Sequence, residues 1–321
     1  MGCGAAVLAS AVGYWANLAD SSPSVVPAIP QGSIAPLQSA GVLAVAPSGT
    51  LYVLSTESAH SEANQRILVR LPNGEFRDVV GDGATGVSGD AGPATKAALS
   101  DVTDMAFGPD GDLYIADGGR IRVVDHQGII RTIADNGAQS IAFGPTGALY
   151  ATTQTELLRM DGVGGFTRLK AVVPNNGTLR SGTLGGFGSL AVADDSTVYV
   201  SGGFGSWSVY KVLPSGMASY VTYARAAGGF YSEIRRSPTG AIMADSNWQL
   251  VQLAGSGGPS FPARNGSGLD EPFTLHNYAF GPHNIIYADD VGYSGFSSVQ
   301  QLVEQDGSTI TSLWSHKIDP G

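Results

Sequence analysis

Two carboxylates and one amide stand at the same position of a sequence pattern that this chain repeats. They are Asp104, Glu233 and Asn277, and the other copies of the pattern carry Val42, Ser140 and Ser189 at that position. If the six positions converge, the oxygens of Asp104, Glu233 and Asn277 could hold a hard divalent cation such as Ca²⁺. Glu233 and Asp104 could then act as acid and base in a hydrolase or lyase. The alternative is that these polar groups bind only internal water and backbone groups that lack other partners.

Histidine offers a second route to a metal site. His276 directly precedes Asn277, and His60 follows the first copy of the pattern, which a closed ring would place beside the last copy. Together with Asp289 or Asp290, the two imidazoles could bind a metal such as Zn²⁺. The alternative is that both histidines are exposed to solvent.

Aromatic side chains gather in the segments that join the repeated patterns, where glycine is frequent. The set comprises Phe204, Trp207, Phe230, Tyr231, Trp248, Tyr293 and Phe296. Aromatic rings at exposed loop tips give a large contact area at a low cost in conformational entropy, as in sites that recognise proteins and glycans. The alternative is that these rings pack the long segments onto the scaffold.

The pattern that positions all these residues is a stretch of fourteen. "DMAFGPDGDLYIAD" at 104–117 is followed by "SIAFGPTGALYATT" at 140–153, and further copies begin at residues 42, 189, 233 and 277. The aligned turn positions 47, 109, 145, 194, 238 and 282 are separated by 62, 36, 49, 44 and 44 residues. This spacing is typical of one four-stranded blade of a β-propeller.

The residues within each copy explain why it forms two strands. Pro and Gly of "GPDG" suit a type I turn that joins two strands closely. In "LYIA", Leu113 and Ile115 point to one face of the sheet and Tyr114 and Ala116 to the other, so both faces are apolar, as stacked blades require. A second strand pair with its own turn follows each copy. The sequence therefore predicts an all-β fold, a six-bladed β-propeller of four-stranded antiparallel blades with a short N-terminal extension.

Residues 81–134 carry a family resemblance. The stretch "GDGATGVSGDAGPATKAALSDVTDMAFGPDGDLYIADGGRIRVVDHQGIIRTIA" closely resembles NHL repeats of the bacterial and teneurin-like type, which have a glycine-rich segment before the strand and "YIAD" after it. The resemblance implies a six-bladed β-propeller. It implies no single activity, because such propellers include scaffolds, sensor domains, RNA binders and lyases. Asp117 of "YIAD" is expected to cap a loop by accepting backbone N–H bonds.

The predicted organisation is an extension over 1–40 and a single propeller domain over 41–316. The blades are expected at about 41–80, 103–135, 139–171, 188–222, 232–263 and 276–315. Turns within a strand pair are short, whereas long segments join blades or join the second strand of a blade to its third. The latter connections share one rim of the ring, which we name the top face. Binding residues are expected there, on loops held by a rigid scaffold.

The amino-acid composition limits the classes of partner that the protein is expected to bind. The formal net charge of -10 opposes a phosphate backbone, so nucleic acid is not expected as a partner. The single cysteine excludes an intrachain disulfide. Residues 1–19 are apolar and lack the basic leader of a secretory signal, so membrane anchoring is expected only through this segment. We expect the protein to be extracytoplasmic or secreted.

Two functions follow from these residues. The first is a recognition or scaffold propeller that binds a protein, glycan or small-molecule ligand on its top face. Its ligand-binding residues would be Trp207, Trp248, Phe204, Tyr231, Tyr293, Asn277 and His276. The second is a metal-dependent hydrolase or lyase at the mouth of the central channel, with Glu233 and Asp104 as catalytic residues. Its divalent cation, Ca²⁺ or Zn²⁺, would be held by Glu233, Asp104 and Asn277.

Overall fold

A computed structural model shows six antiparallel sheets arranged as the blades of a propeller, which confirms the predicted fold class. Apart from two 3₁₀ turns, Ala94–Lys96 and Pro282–Asn284, the regular structure of the described residues is strand. The structure describes residues 32–57, 64–160, 165–174, 182–194, 196–202, 208–222, 231–246, 249–255, 275–294, 297–306 and 309–318.

The first three blades use strands that are consecutive in the chain. Blade 1 comprises β1 (Leu43–Val45), β2 (Leu51–Ser55), β3 (Arg66–Arg70) and β4 (Phe76–Val80). Blade 2 comprises β5 (Gly92–Pro93), β6 (Val102–Phe107), β7 (Leu113–Asp117), β8 (Gly119–Val124) and β9 (Ile129–Ala138), with β5 paired to the outer strand β9. Blade 3 comprises β10 (Ser140–Phe143), β11 (Leu149–Thr152), β12 (Leu157–Met160) and β13 (Phe166–Leu169).

The other three blades follow the same plan after the short pair β14 (Val172–Val173) and β15 (Gly182–Thr183). Blade 4 comprises β16 (Phe187–Val192), β17 (Val198–Gly202), β18 (Ser208–Val212) and β19 (Ala218–Thr222). The described strands of blade 5 are β20 (Tyr231–Arg236), β21 (Ile242–Ser246) and β22 (Gln249–Ala254). Blade 6 comprises β23 (Leu275–Phe280), β24 (Ile286–Ser294), β25 (Ser297–Asp306) and β26 (Thr309–Ile318).

Each blade is buried on both faces, as the alternating apolar pattern predicts. Leu113 and Ile115 of β7 pack with residues of blade 1, and Ala116 and Tyr114 of the same strand pack with residues of blade 3. The turn before β7 is closed by a hydrogen bond from the Gly111 N–H to the Gly108 carbonyl, and Gly111 has a φ of 82°, which side chains rarely adopt.

The ring closes through side-chain packing between the first and last blades. Leu43 and Leu51 of blade 1 share one core cluster with Ala279, Tyr287 and Leu302 of blade 6. The innermost strands contact one another in the cyclic order β1, β6, β10, β16, β20, β23 and back to β1. Residues 33–35 run beside the outer strand β4, where the Ala35 N–H donates to the Phe76 carbonyl and Ile34 pairs with Arg77.

One buried arginine fastens the glycine-rich segment 81–101 to blade 2. The side chain of Arg122 is fully buried, and its Nη1 donates to the carbonyl of Ala98 at 2.8 Å and to Oδ2 of Asp117 at 3.1 Å. Its Nη2 donates to the carbonyl of Ser88 at 2.9 Å and to Oδ1 of Asp90 at 2.8 Å. The long connection between blades 1 and 2 is therefore held by charge-assisted hydrogen bonds.

Asp117 completes this anchor from the other side. Its Oδ1 accepts the backbone N–H of Ser100 at 2.7 Å and that of Asp101 at 3.1 Å. The prediction that Asp117 caps a loop is therefore confirmed.

Replacing Arg122 with methionine tests the anchor. We expect the Arg122→Met variant to lose about 3–5 kcal/mol of the free energy of unfolding, because Asp117 would stay buried without its counter-ion. Urea unfolding measures the loss. The control is Arg120→Met on the same strand, whose partner Asp135 is exposed and whose loss should be at most about 1 kcal/mol. Equal losses in the two variants would contradict the anchor.

Candidate functional site

The structure brings Asp104 and Glu233 to a common partner that the sequence analysis did not single out. Asp104 lies on β6 of blade 2 and Glu233 on β20 of blade 5. In the cyclic order of innermost strands, β6 and β20 are three steps apart in either direction, so these two blades face each other across the propeller axis. The guanidinium of Arg235, also on β20, contacts both carboxylates.

Arg235 crosses the axis and binds Asp104 with two nitrogens. Its Nη2 lies 2.8 Å from Oδ1 of Asp104, and its Nη1 lies 3.2 Å from Oδ2. Its Nε lies 2.9 Å from Oε2 of Glu233 on its own strand. Burial works against the charge of Arg235, but Asp104 and Glu233 outweigh this effect and raise the pKa of Arg235 above its usual value. The site thus joins two opposite blades through one permanent cation.

A sequence signal for Arg235 exists in the repeat alignment. Three residues before the turn position, the other five copies carry alanine. These are Ala44, Ala106, Ala142, Ala191 and Ala279. The position is two residues beyond the ring residue, so both project from the same face of the strand. Arg235 is therefore the one long side chain among six equivalent positions.

Asp104 is saturated with hydrogen bonds. Besides the two bonds from Arg235, its Oδ1 accepts the N–H of Met105 at 2.8 Å, and its Oδ2 accepts the hydroxyl of Ser140 at 2.6 Å and the N–H of Ile141 at 2.9 Å. A carboxylate offers about four acceptor sites, so five donors leave none for a ligand or a substrate proton. Asp104 therefore acts as a fixed anion inside the ring.

Other ring residues also bond within the protein. The hydroxyl of Ser189 accepts the N–H of Ile234 at 2.9 Å and donates to the carbonyl of the same residue at 3.2 Å. These bonds join β16 to β20, as the Ser140–Asp104 bond joins β10 to β6. The interpretation of the ring as partners for backbone groups thus holds for Ser189, whereas the hydroxyl of Ser140 bonds to the Asp104 carboxylate.

Glu233 has a different environment from Asp104. Burial, strengthened by Asp104 and Asp245 and opposed by Arg235, raises the pKa of Glu233 to about 7. Its Oε2 forms the ion pair with Arg235 but, within the described residues, meets no donor in hydrogen-bond geometry. Burial also raises the pKa of the neighbouring Tyr278 well above its usual value, and its hydroxyl donates to the carbonyl of Met243 at 3.0 Å.

The described residues do not fit a divalent cation at the predicted position. A guanidinium lies between Asp104 and Glu233, and Asp104 has no acceptor site to spare. In the part of the chain that the structure describes, no three His, Cys, Asp or Glu side chains are grouped so as to hold a metal ion. Asn277 is paired with Asp289 in the β23–β24 register. His60 lies outside the described residues, as does the side chain of His276.

The predicted aromatic residues are only partly covered by the structure. Phe204, Trp207 and Trp248 lie outside the described residues. The backbone of Tyr231 begins β20, and that of Tyr293 lies near the end of β24, while their side chains are not described.

One predicted top-face connection has a different form. The segment 289–297 is not an open connection, because β24 continues to Ser294 and β25 starts at Ser297, so that the two strands pair along this segment. The aromatic ring of Tyr293 thus belongs to a residue of a β-hairpin rather than of a loop.

The fold and the sequence together define a class of protein. The chain is a six-bladed β-propeller, and residues 81–148 match the family model of the Teneurin NHL domain. This match confirms the resemblance to NHL-repeat propellers. No curated protein matches the chain.

Solved structures agree with this class. A gluconolactonase from Xanthomonas campestris is similar, with a TM-score of 0.51 and 13% identity over 78% of this chain and 84% of that one. A protein of unknown function from Bacteroides thetaiotaomicron has a TM-score of 0.52 and 13% identity, over 80% of this chain and 68% of that one. At identities this low, the structural similarity shows a shared fold. Among the described residues, no helix has the length and apolar character to cross a membrane.

The raised pKa of Glu233 predicts a pH-dependent stability. Between about pH 4.5 and pH 7 the folded chain keeps a proton on Glu233 that the unfolded chain has lost. The stability that this proton contributes is complete below about pH 4.5 and disappears as the pH rises through 7. The free energy of unfolding of the wild type minus that of Glu233→Gln should therefore fall by on the order of 1–3 kcal/mol over this interval. Urea titrations at both ends measure it, and a constant difference would contradict the assignment.

Proposed function

We propose that this protein is a non-catalytic recognition propeller that binds a protein or glycan ligand across its top face. The observation that carries the proposal is the saturation of Asp104 by five internal hydrogen bonds. With Arg235 bound to it, the carboxylate that an enzyme would use at the channel mouth serves the scaffold instead. Ligand contacts are then left to the connections on the rim.

The contrast between the two rims supports this proposal. On the rim opposite the top face, turns close within a few residues, as at Gly111, Gly128 and Gly216. On the top face, the β24–β25 hairpin extends past the paired part of β23. A rigid scaffold with elaborated connections on one rim is the usual arrangement of a binding surface.

The ligand contacts in this proposal come from aromatic and polar residues of the top face. They are Phe204, Trp207, Tyr231, Trp248, His276, Asn277 and Tyr293. Aromatic rings pack against sugar faces and apolar protein side chains at a low entropic cost. The net charge of -10 makes nucleic acid a poor partner. An extracytoplasmic or secreted location is part of the same proposal.

Tryptophan substitutions test the top face. We expect Trp207→Ala and Trp248→Ala to weaken binding to an immobilised glycan array at least about tenfold while leaving the unfolding midpoint unchanged, because truncating an interface aromatic removes a dominant contact. The control is Met217→Ala, which removes an exposed apolar side chain from a turn on the opposite rim. Binding that both tryptophan variants retain in full would refute the proposed surface.

A second function has one observation in its favour, the environment of Glu233. A carboxyl group with a pKa of about 7 can take up and release a proton near neutral pH, as a general base must. The similar gluconolactonase suggests a sugar lactone as the probe. We therefore keep lactone hydrolysis as the alternative, with Glu233 as base and Arg235 positioning it.

The alternative makes its own prediction. Wild-type protein should hydrolyse glucono-δ-lactone above the spontaneous rate, and Glu233→Gln should lose at least about 100-fold of that activity, because the amide cannot accept the proton. A pH-stat assay measures the rate. Glu75→Gln, in an exposed turn, serves as the matched control. Absence of hydrolysis by the wild type, or full activity in Glu233→Gln, would contradict the lactone-hydrolysis alternative.

A further inference from the structure

Ring closure in this propeller depends on side-chain packing between blades 1 and 6. Within the described residues, every four-stranded sheet consists of strands from one continuous part of the chain, and no strand is exchanged between blade 1 and blade 6. The boundary between these two blades, which we name the seam, is held by the packing of Leu43 and Leu51 against Ala279, Tyr287 and Leu302. A ring closed in this way can open at the seam without breaking a sheet.

The bond between Arg235 and Asp104 spans the seam. Blade 2 adjoins blade 1, and blade 5 adjoins blade 6, so Asp104 and Arg235 belong to the two halves that the seam separates. If the seam opened, blades 1 and 2 would move away from blades 5 and 6. The distance between Asp104 and Arg235, now 2.8 Å at its closest, would have to increase.

We propose that Arg235 and Asp104 form a clasp across the axis that keeps the propeller ring closed. Both ends of the clasp are fixed. Asp104 is held to blade 3 by Ser140 and Ile141, and Arg235 is held on its own strand by Glu233. A force that separates Asp104 from Arg235 therefore acts on the inner strands of blades 2, 3 and 5.

The clasp is strong because of its geometry and its environment. Two parallel N–H···O bonds join a guanidinium to a carboxylate, which is the best-oriented form of a charge-assisted pair. Only 2% of the Asp104 side chain and 14% of the Arg235 side chain are exposed, so solvent screens the pair little. Opening the seam would separate two buried charges from each other, and unpaired buried charges are costly.

The alanines on the other five inner strands are consistent with this role. A clasp across the axis requires one long side chain and an unobstructed path to the opposite blade. The single arginine among five alanines provides the long side chain. With alanine in its place, the bond between blades 2 and 5 would be lost.

Hydrogen–deuterium exchange of the full chain tests the clasp. We expect Arg235→Met to exchange at least tenfold faster than the wild type in peptides covering residues 41–55 and 275–290, which form the seam, with smaller changes in blades 3 and 4. Arg236→Met is the matched control, because this neighbouring arginine pairs with the exposed Asp194. Its seam peptides should exchange at the wild-type rate. Seam exchange at the wild-type rate in Arg235→Met, or equal acceleration in all six blades, would overturn the clasp.

A second variant covers the case in which Arg235→Met does not fold. Arg235→Ala leaves a space of the size of the lost side chain beside Asp104, and methylguanidinium matches the group that is removed. We expect millimolar methylguanidinium, below denaturing concentrations, to restore the folded protein and to bring the seam exchange to within twofold of the wild type. Methylammonium, which cannot form the two parallel bonds, should not do so. No rescue by methylguanidinium would overturn the proposal.

Discussion

A sheet that is apolar on both faces cannot remain in water, and this constraint determines the architecture of the molecule. Leu113 and Ile115 need a neighbour on one side of blade 2, and Tyr114 and Ala116 need another on the opposite side. An open row of blades would leave its first and last faces exposed. Closure into a ring covers every face at the cost of a seam between blades 1 and 6 and of an axis where six strand edges meet.

The axis has its own physical requirement, because polar groups buried there must satisfy one another. Ser140 and Ser189 bind groups on neighbouring strands, and Asp104 binds a guanidinium from the opposite blade. Glu233 is the group least satisfied by this network, and burial accordingly favours its protonated form. One set of side chains thus explains both the cohesion of the ring and the shifted pKa at its centre.

The sequence predicted the fold in detail because the same pattern, a short turn between two apolar strands, occurs six times. Each turn with its two apolar strands is weak evidence alone, but six copies together predict six blades. Asp117 was assigned its capping role because an aspartate side chain readily accepts backbone N–H bonds. The site was predicted less well. Asp104 and Glu233 contact one guanidinium, that of Arg235, which was missed because alignment compares equivalent positions and not residues that meet across the axis. The hairpin at 289–297 was missed because its glycines resemble those of a loop.

The axis and the rim are therefore under different constraints. A side chain on the axis has partners on several blades, so Asp104 cannot change without affecting Ser140, Ile141 and Arg235 together. A side chain on the top face, if its segment is anchored as Arg122 anchors 81–101, can change without such consequences. Internal closure of the ring thus leaves the top-face connections free to match a ligand, and this is why a saturated centre favours recognition at the rim over chemistry at the channel mouth.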